Sequence, residues 1–298
     1  MSFTSDIKSE LCKIKTPTCC KISECYGILL FGRAFSYDSI SLATENEEVV
    51  DRLTMLLRQC YSVQPTISGG GGKRDFFVVS VPEKSQRESI LNSLGYYGFQ
   101  TGDSIIKHQN IEDECCKSSF IRGAFLACGA VSNPKKDYHA EFPIYKDRLA
   151  DEFYDLLCDV GLSPRITNRG KNKIIYFKES ENIEDLLTTI QAVSHTLELA
   201  GIKVYKDISN RANRLSNCEM ANLSKTVNAA VSQMQAIDTL RKKGEFERLS
   251  NELKAAAQLR EKNPEASLNE LCEIAGASIT KSGLNHRLNR LIQIAKNL

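Results

Sequence analysis

No stretch of this 298-residue chain approaches the roughly 18 consecutive apolar residues needed to cross a bilayer. No membrane span is therefore expected. The opening MSFTSDIKSELCKIK lacks the apolar centre of a secretory leader, so the expected location is the cytoplasm. Eleven cysteines in such a chain read as thiols rather than disulfides, because the cytosol keeps them reduced. An excess of one charge sign is missing too, with 39 Lys+Arg against 37 Asp+Glu. That balance hides an asymmetry. Residues 1–209 hold 25 basic against 28 acidic residues, net −3, and residues 210–298 hold 14 against 9, net +5. A basic C-terminal part suits a polyanionic partner. With 42% apolar and 26% charged residues, the chain is long enough for two or three domains with ordinary cores.

The chain repeats itself at an offset of 96 residues. Cys19, Cys20, Lys21, Ser23, Gly27, Leu30, Ala34 and Ser36 are matched by Cys115, Cys116, Lys117, Ser119, Gly123, Leu126, Ala130 and Ser132. Eight identities in 18 residues mark an internal repeat. Each copy continues in the same order. An alternating run reads as a strand (SYDSISLAT, then DYHAEFPIY) and precedes an amphipathic helix (NEEVVDRLTMLLRQCY, then DRLADEFYDLLCDVG). A hairpin follows (VQPTISGGGGKRDFFVVSV, then LSPRITNRGKNKIIYFKES), and a closing helix is expected around residues 83–94 and 183–199. Gly27, Gly123, Ala124 and Ala127 leave the repeated helices almost bare, so the expected seam is two helix backbones side by side.

Paired helices written YGILLFGRA and RGAFLACGA, each opening such a half, resemble the LAGLIDADG homing endonucleases. The resemblance implies a nuclease in which the helix ends on an acidic metal ligand. Aligning the glycines puts Gly32 and Cys128 at those acidic positions. Glycine offers no side-chain oxygen and cysteine only a soft sulfur, whereas Mg²⁺-assisted hydrolysis needs carboxylates. Asp38 and Asp137 lie further along the chain. No catalytic residue, cofactor or metal is therefore expected, and Gly32 and Cys128 count as degenerate metal positions. Cys12, Cys19, Cys20 and Cys25 cluster in sequence, but their spacings of six, none and four do not make the paired C-x2-4-C pattern of structural zinc. The second copy supplies Cys115 and Cys116 without equivalents of Cys12 or Cys25, so these cysteines read as small buried residues at a helix start. Lys73 and Arg74 on one hairpin correspond to Arg165, Arg169, Lys171 and Lys173 on the other. They are either solvated tips or, as the resemblance implies, secondary contacts to DNA or a partner.

The texture changes at Asn210. Asn210, Arg211, Asn213 and Arg214 suit phosphate or partner contacts and equally suit helix capping. A connecting helix follows, with Leu223, Val227, Ala230, Val231, Met234 and Ile237 as one apolar stripe. A helix over about 249–261, a capping box at Ser267 and Glu270, a turn at Gly276 and a last helix from Thr280 make a helix-turn-helix. Opposite the apolar face of Leu284, Leu288, Leu291, Ile292 and Ala295 stand Ser282, His286 and Asn289, flanked by Asn285, Arg287 and Arg290. Such side chains can read bases in the major groove, while Lys281 suits a phosphate. Gly283 inside the helix suggests close approach of another backbone or of DNA. No carboxylate or nucleophile stands near His286 at a suggestive spacing, so recognition rather than catalysis is its expected role.

The combination of the duplicated unit with NRANRLSNCEMANL and NPEASLNELCEIAGASITKSGLNHRL resembles the WhiA family over essentially the whole chain. The expected fold is α+β: tandem pseudo-symmetric LAGLIDADG-like αββαββα halves with antiparallel sheets at 1–106 and 107–208. A linker and connecting helix (209–243) and an all-α helix-turn-helix domain (244–298) follow. The resemblance implies a non-enzymatic regulator of transcription affecting cell division, chromosome segregation or sporulation. Double-stranded DNA would be its partner, a sigma factor or RNA polymerase its protein contact, and the nucleoid its place in the cytoplasm. A residual metal-dependent DNA endonuclease and a protein-binding adaptor are the alternatives.

Overall fold

The structure, a computed structural model, describes residues 2–71, 75–98, 105–170, 172–276 and 279–298. It divides into two compact units, Met1–Lys206 and Asp207–Leu298. The first begins with α1 (Phe3–Cys12), capped by Ser2, an element the repeat gave no reason to expect. The two copies then run in parallel. The first is α2 (Thr18–Leu30), β1 (Ala34–Phe35), β2 (Ile40–Thr44), α3 (Glu47–Tyr61), β3 (Thr66–Gly71), β4 (Asp75–Ser80) and α4 (Lys84–Ser93). The second is α5 (Glu114–Cys128), β5 (Ala130–Val131), β6 (Ala140–Ile144), α6 (Asp147–Asp159), β7 (Arg165–Arg169), β8 (Asn172–Phe177) and α7 (Ser180–Thr189). Each copy builds one antiparallel four-stranded sheet, in the orders β1-β2-β4-β3 and β5-β6-β8-β7. The expected αββαββα halves are present.

The halves meet along α2 and α5, where side chains would leave no room. A Cβ added to Gly27 would stand 2.3 Å from the Phe120 carbonyl oxygen, and one added to Gly123 would stand 2.2 Å from that of Glu24. Positions 24 and 120 are themselves repeat equivalents, so the contact is reciprocal about a local two-fold axis. Beside it lies a fully buried ion cluster. Glu24 accepts from Arg52 Nε at 2.6 Å and Nη2 at 2.9 Å, and from Arg122 Nε at 3.0 Å and Nη2 at 2.8 Å. Arg52 also donates to the carbonyls of Cys12 and Ile14, and Arg122 to Gln191 Oε1 and Ser119 Oγ. Satisfying the guanidinium donors this fully is what makes burying the charges tolerable. Around this seam pack Leu53, Leu56 and Leu57 of α3 and Phe153, Leu156 and Leu157 of α6, all buried.

The second closing helix is shorter than expected. Helix α7 stops at Thr189, and Gln191, with φ at +69°, turns the chain before α8 (Val193–Lys242) begins. The Ala192 N–H bonds back to the Leu187 carbonyl, the six-to-one bond of a left-handed helix terminator. Of residues 209–243, expected as a linker and connecting helix, 209–242 are helical throughout, so Asn210, Arg211, Asn213 and Arg214 lie within α8 and cap nothing. In the second unit α8 is followed by α9 (Asn251–Lys262), α10 (Leu268–Ile274) and α11 (Lys281–Lys296) around Ile237, Leu240, Phe246, Ala257, Leu271, Leu284, Leu288 and Leu291. The stripe on α8 joins this core only in part, since Ala230 and Ile237 are buried while Leu223, Val227 and Val231 remain about half exposed. Among the described residues no helix is long and apolar enough to cross a membrane.

One substitution should act with opposite signs at two glycines. Gly27→Ala forces Cβ against backbone and should destabilise by about 1–3 kcal/mol or more. Gly201→Ala, inside α8 with nothing within 4 Å, should stabilise by roughly 0.5–1 kcal/mol. Urea unfolding followed by circular dichroism measures both. By the same assay Glu24→Gln, which strips the charge from two buried arginines, should cost about 3–5 kcal/mol.

Candidate nucleic-acid interface

The second unit is locked by its caps and by one buried arginine. Ser250 Oγ accepts from the Leu253 N–H at the start of α9, and Thr280 Oγ1 from the Gly283 N–H at the start of α11. At α10 the capping box is complete: the Glu270 N–H donates to Ser267 Oγ at 3.3 Å, and the Ser267 N–H donates to Glu270 Oε2 at 2.6 Å. Beyond the end of α10 the chain turns at Gly276, whose φ is +67°. Arg260, only 2% exposed, donates to Gln233 Oε1 on α8 and to the Ala266 carbonyl in the turn that feeds α10. Arg241 reinforces the same joint, pairing twice with Glu261 at 2.8 Å and lying 3.8 Å over the Phe246 ring. Neither arginine at this joint was singled out from the sequence.

With Leu284, Leu288 and Leu291 buried, the other face of α11 points to solvent. Lys281, Ser282, Asn285, His286, Asn289 and Arg290 are all exposed on it. Arg287 is the exception, half-buried and held 3.1 Å from Glu252 of α9. It therefore braces α11 against α9. Gly283 also has a local neighbour: an added Cβ would meet the side-chain atoms Thr280 Oγ1 at 3.2 Å and Ile279 Cγ1 at 3.5 Å. Lys281 and Lys225, which sequence reasoning missed, line one hollow of about 310 Å³ beside the N-terminus of α10. Lys225 lies on an exposed stretch of α8, and only its place in the fold marks it out.

In the first unit, Gly32 and Cys128 do come together. Both line a pocket of about 450 Å³ with Phe31, Arg33, Ala43 and Tyr145, and no described residue lining it carries a carboxylate. A side chain at position 32 would press on the Ser41 carbonyl oxygen, 2.8 Å from an added Cβ. Cys128 donates to the Ala124 carbonyl, and burial pushes its thiol up to about 12, so it stays neutral. Asp38 and Asp137 are exposed and do not reach the pocket.

A family model described as the WhiA C-terminal HTH domain matches residues 212–295, and one described as the WhiA LAGLIDADG-like domain matches residues 117–209. The "Probable cell division protein WhiA" of Clostridium tetani is 36% identical over 313 residues, covering 100% of this chain and 98% of that protein. That of Ruminiclostridium cellulolyticum is 34% identical over 308 residues, covering 100% and 98%. The chain belongs to the WhiA family. Full-length DUF199/WhiA from T. maritima shares the fold, with a TM-score of 0.61 at 23% identity over 100% of this chain and 99% of that one.

The remaining basic positions of this WhiA chain differ in how free they are. Arg211 and Arg214 are exposed on α8. On the second sheet Lys173 pairs with Asp151 at 2.7 Å, Arg165 with Glu179 at 2.7 Å and Arg169 with Glu141 at 3.5 Å. Their charge is answered within their own half. Lys73, Arg74 and Lys171 lie outside the described residues.

The capping box of this WhiA chain should make α10 sensitive to acid. Hydrogen bonds from Ser267, backbone first, hold the Glu270 carboxyl below its ordinary 4.5. The stabilisation they give is therefore present above that value and fades as pH falls through the lower folded value. Amide exchange of α10 in the full chain should accelerate below pH 4.5 relative to α11. Ser267→Ala should accelerate it at neutral pH, by about 1 kcal/mol of lost protection.

Proposed function

We propose that this protein is a non-enzymatic DNA-binding regulator that reads double-stranded DNA through α11. The single observation that carries this is the exposed row of Ser282, Asn285, His286, Asn289 and Arg290, held rigid by the leucines behind it. Asparagine and arginine side chains on a helix that fits the major groove can form paired hydrogen bonds to adenine and guanine edges. Lys281 and Lys225, exposed cations beside one hollow, suit the sugar-phosphate backbone, which fixes orientation without reading sequence. Arg211 and Arg214 add secondary contacts. The paired cations Arg169 and Lys173 fit DNA less well, because their neighbouring carboxylates would repel phosphate.

The first unit is a scaffold that retains an endonuclease architecture without its chemistry. Where hydrolysis would require carboxylates it offers Gly32 and a neutral Cys128. The regulated process is cell division, as in the relatives' name, together with chromosome segregation or sporulation, with a sigma factor or RNA polymerase as the protein contact and the nucleoid as the site of action.

Binding of the full chain to genomic DNA fragments at fixed salt tests this reading. Asn289→Ala and Arg290→Ala should each lose about 1–3 kcal/mol on the preferred sequence and little elsewhere. Lys281→Ala should weaken binding to every sequence alike and reduce the slope of log affinity against log salt by about one. Arg287→Ala should act through stability, shifting the melting temperature more than the sequence preference. Unchanged binding in all four variants would assign DNA contact elsewhere and favour a protein-binding adaptor. With Mg²⁺ or Mn²⁺, supercoiled plasmid should stay intact; nicking that Asp38→Asn or Asp137→Asn abolishes would restore the nuclease reading.

A further inference from the structure

The two copies bring together four cysteines, two from each, that the repeat matches at an offset of 96 residues. Cys19 and Cys20 stand in the first turn of α2, and Cys115 and Cys116 in the first turn of α5. Their four sulfurs all lie within 4.8 Å of one another, and those of Cys19 and Cys20 are 3.9 Å apart. A metal held tetrahedrally by thiolates at about 2.3 Å needs sulfurs about 3.8 Å apart. Only a small inward movement separates this group from that geometry. Among the described residues, Cys12, at the end of α1, and Cys25, buried in the core, belong to no such group. The linear clustering of Cys12, Cys19, Cys20 and Cys25 therefore hid the relevant set, because half of it comes from the other copy.

We infer that Cys19, Cys20, Cys115 and Cys116 bind one zinc ion as a closed tetrathiolate that clamps the two halves together. Four soft sulfur donors favour zinc over the hard cations that carboxylates hold. Four protein ligands leave no open position for substrate, which makes the site structural. An iron–sulfur cube, with one thiolate on each of four separate irons, needs its ligands spread more widely than these. Binding releases the four thiol protons and leaves two net negative charges on the complex. Those charges fall at the N-termini of two helices, where the peptide dipoles and free N–H groups favour anions. The first turn of α2 holds no acid, and Glu114 in that of α5 is exposed and paired with Lys117 at 2.8 Å.

The surroundings repeat as the ligands do. Ser119 Oγ donates to the Cys115 carbonyl at 2.8 Å, and its counterpart Ser23 Oγ lies 3.1 Å from the Cys19 carbonyl while its shorter bond, 2.8 Å, runs to the Asn110 carbonyl. Both hydroxyls stand against the turns that carry the thiols. Cys20 and Cys116 are buried while Cys19 and Cys115 are exposed, so an ion can enter from solvent. The cluster sits at the helix starts. Gly32 and Cys128 lie at the opposite ends of the same two helices, so the metal would take no part in any chemistry there.

The test uses full-length protein purified under reducing conditions without chelator. Elemental analysis should find one zinc per chain, and replacement by Co²⁺ should give a thiolate-to-cobalt band in the near ultraviolet with the visible bands of a tetrahedral ion. Cys19→Ser with Cys115→Ser, both at exposed positions, should abolish both signals and lower the melting temperature. Cys60→Ser with Cys218→Ser should leave them unchanged. The proposal is overturned if wild-type protein supplied with Zn²⁺ or Co²⁺ shows neither stoichiometric metal nor the cobalt bands. It is equally overturned if the bands persist in the Cys19→Ser, Cys115→Ser protein, or if mass spectrometry of protein alkylated at lysis finds the four cysteines as disulfides.

Discussion

Two helix backbones in direct contact at Gly27 and Gly123 set the spacing of everything else in the first unit. Because nothing larger than hydrogen fits there, α2 and α5 are close enough for one carboxylate to serve both halves. Glu24 reaches Arg52 of its own copy and Arg122 of the other, fully shielded from water. A buried charge cluster adds little net stability against an apolar alternative, since desolvation offsets most of the attraction. What it does add is a penalty for every misaligned packing, because any slip along the seam leaves a charge without its partner. The same proximity gathers the four thiols at one end of the seam and brings Gly32 and Cys128 into one pocket at the other.

How much of this could be read in the sequence depended on whether the signal was local. The repeat, the hairpins, the capping box at Ser267 and Glu270 and the leucine face of α11 were legible because each rests on short spacing. The glycine seam was legible too, since bare positions at matching places in two copies point to close approach. The Glu24 cluster was not: its three members sit 28 and 98 positions apart, and nothing in a linear pattern marks a carboxylate as buried. The end of α7 was missed because Gln191 takes a left-handed conformation that glycine or asparagine normally announces.

On the candidate interface the wheel of α11 and the structure agree on the residues that face outward. Arg287 stands on the flank of that row, half-buried and paired with Glu252 of α9. At Gly283, read in the sequence as a place for another backbone or for DNA, the nearest neighbours within the chain are the side chains of Thr280 and Ile279. The basic hairpin residues of the second sheet, open in the sequence between solvated tips and secondary contacts, carry carboxylate partners of their own. In each case the sequence named the residue and tertiary neighbours decided its state. Lys225 is the converse, an unremarkable lysine on a long helix that gains meaning only beside Lys281.

The reciprocal glycine contact also explains why the two copies are no longer interchangeable. Positions 24 and 26 of the first copy are Glu24 and Tyr26, and their equivalents in the second are Phe120 and Arg122. Two first halves joined through the same glycines would set each glutamate opposite a tyrosine, and two second halves would set each arginine opposite a phenylalanine. Only the unlike pair sets a carboxylate opposite a guanidinium across the axis. The two halves are therefore complementary to each other rather than to themselves, and a single chain supplies one of each.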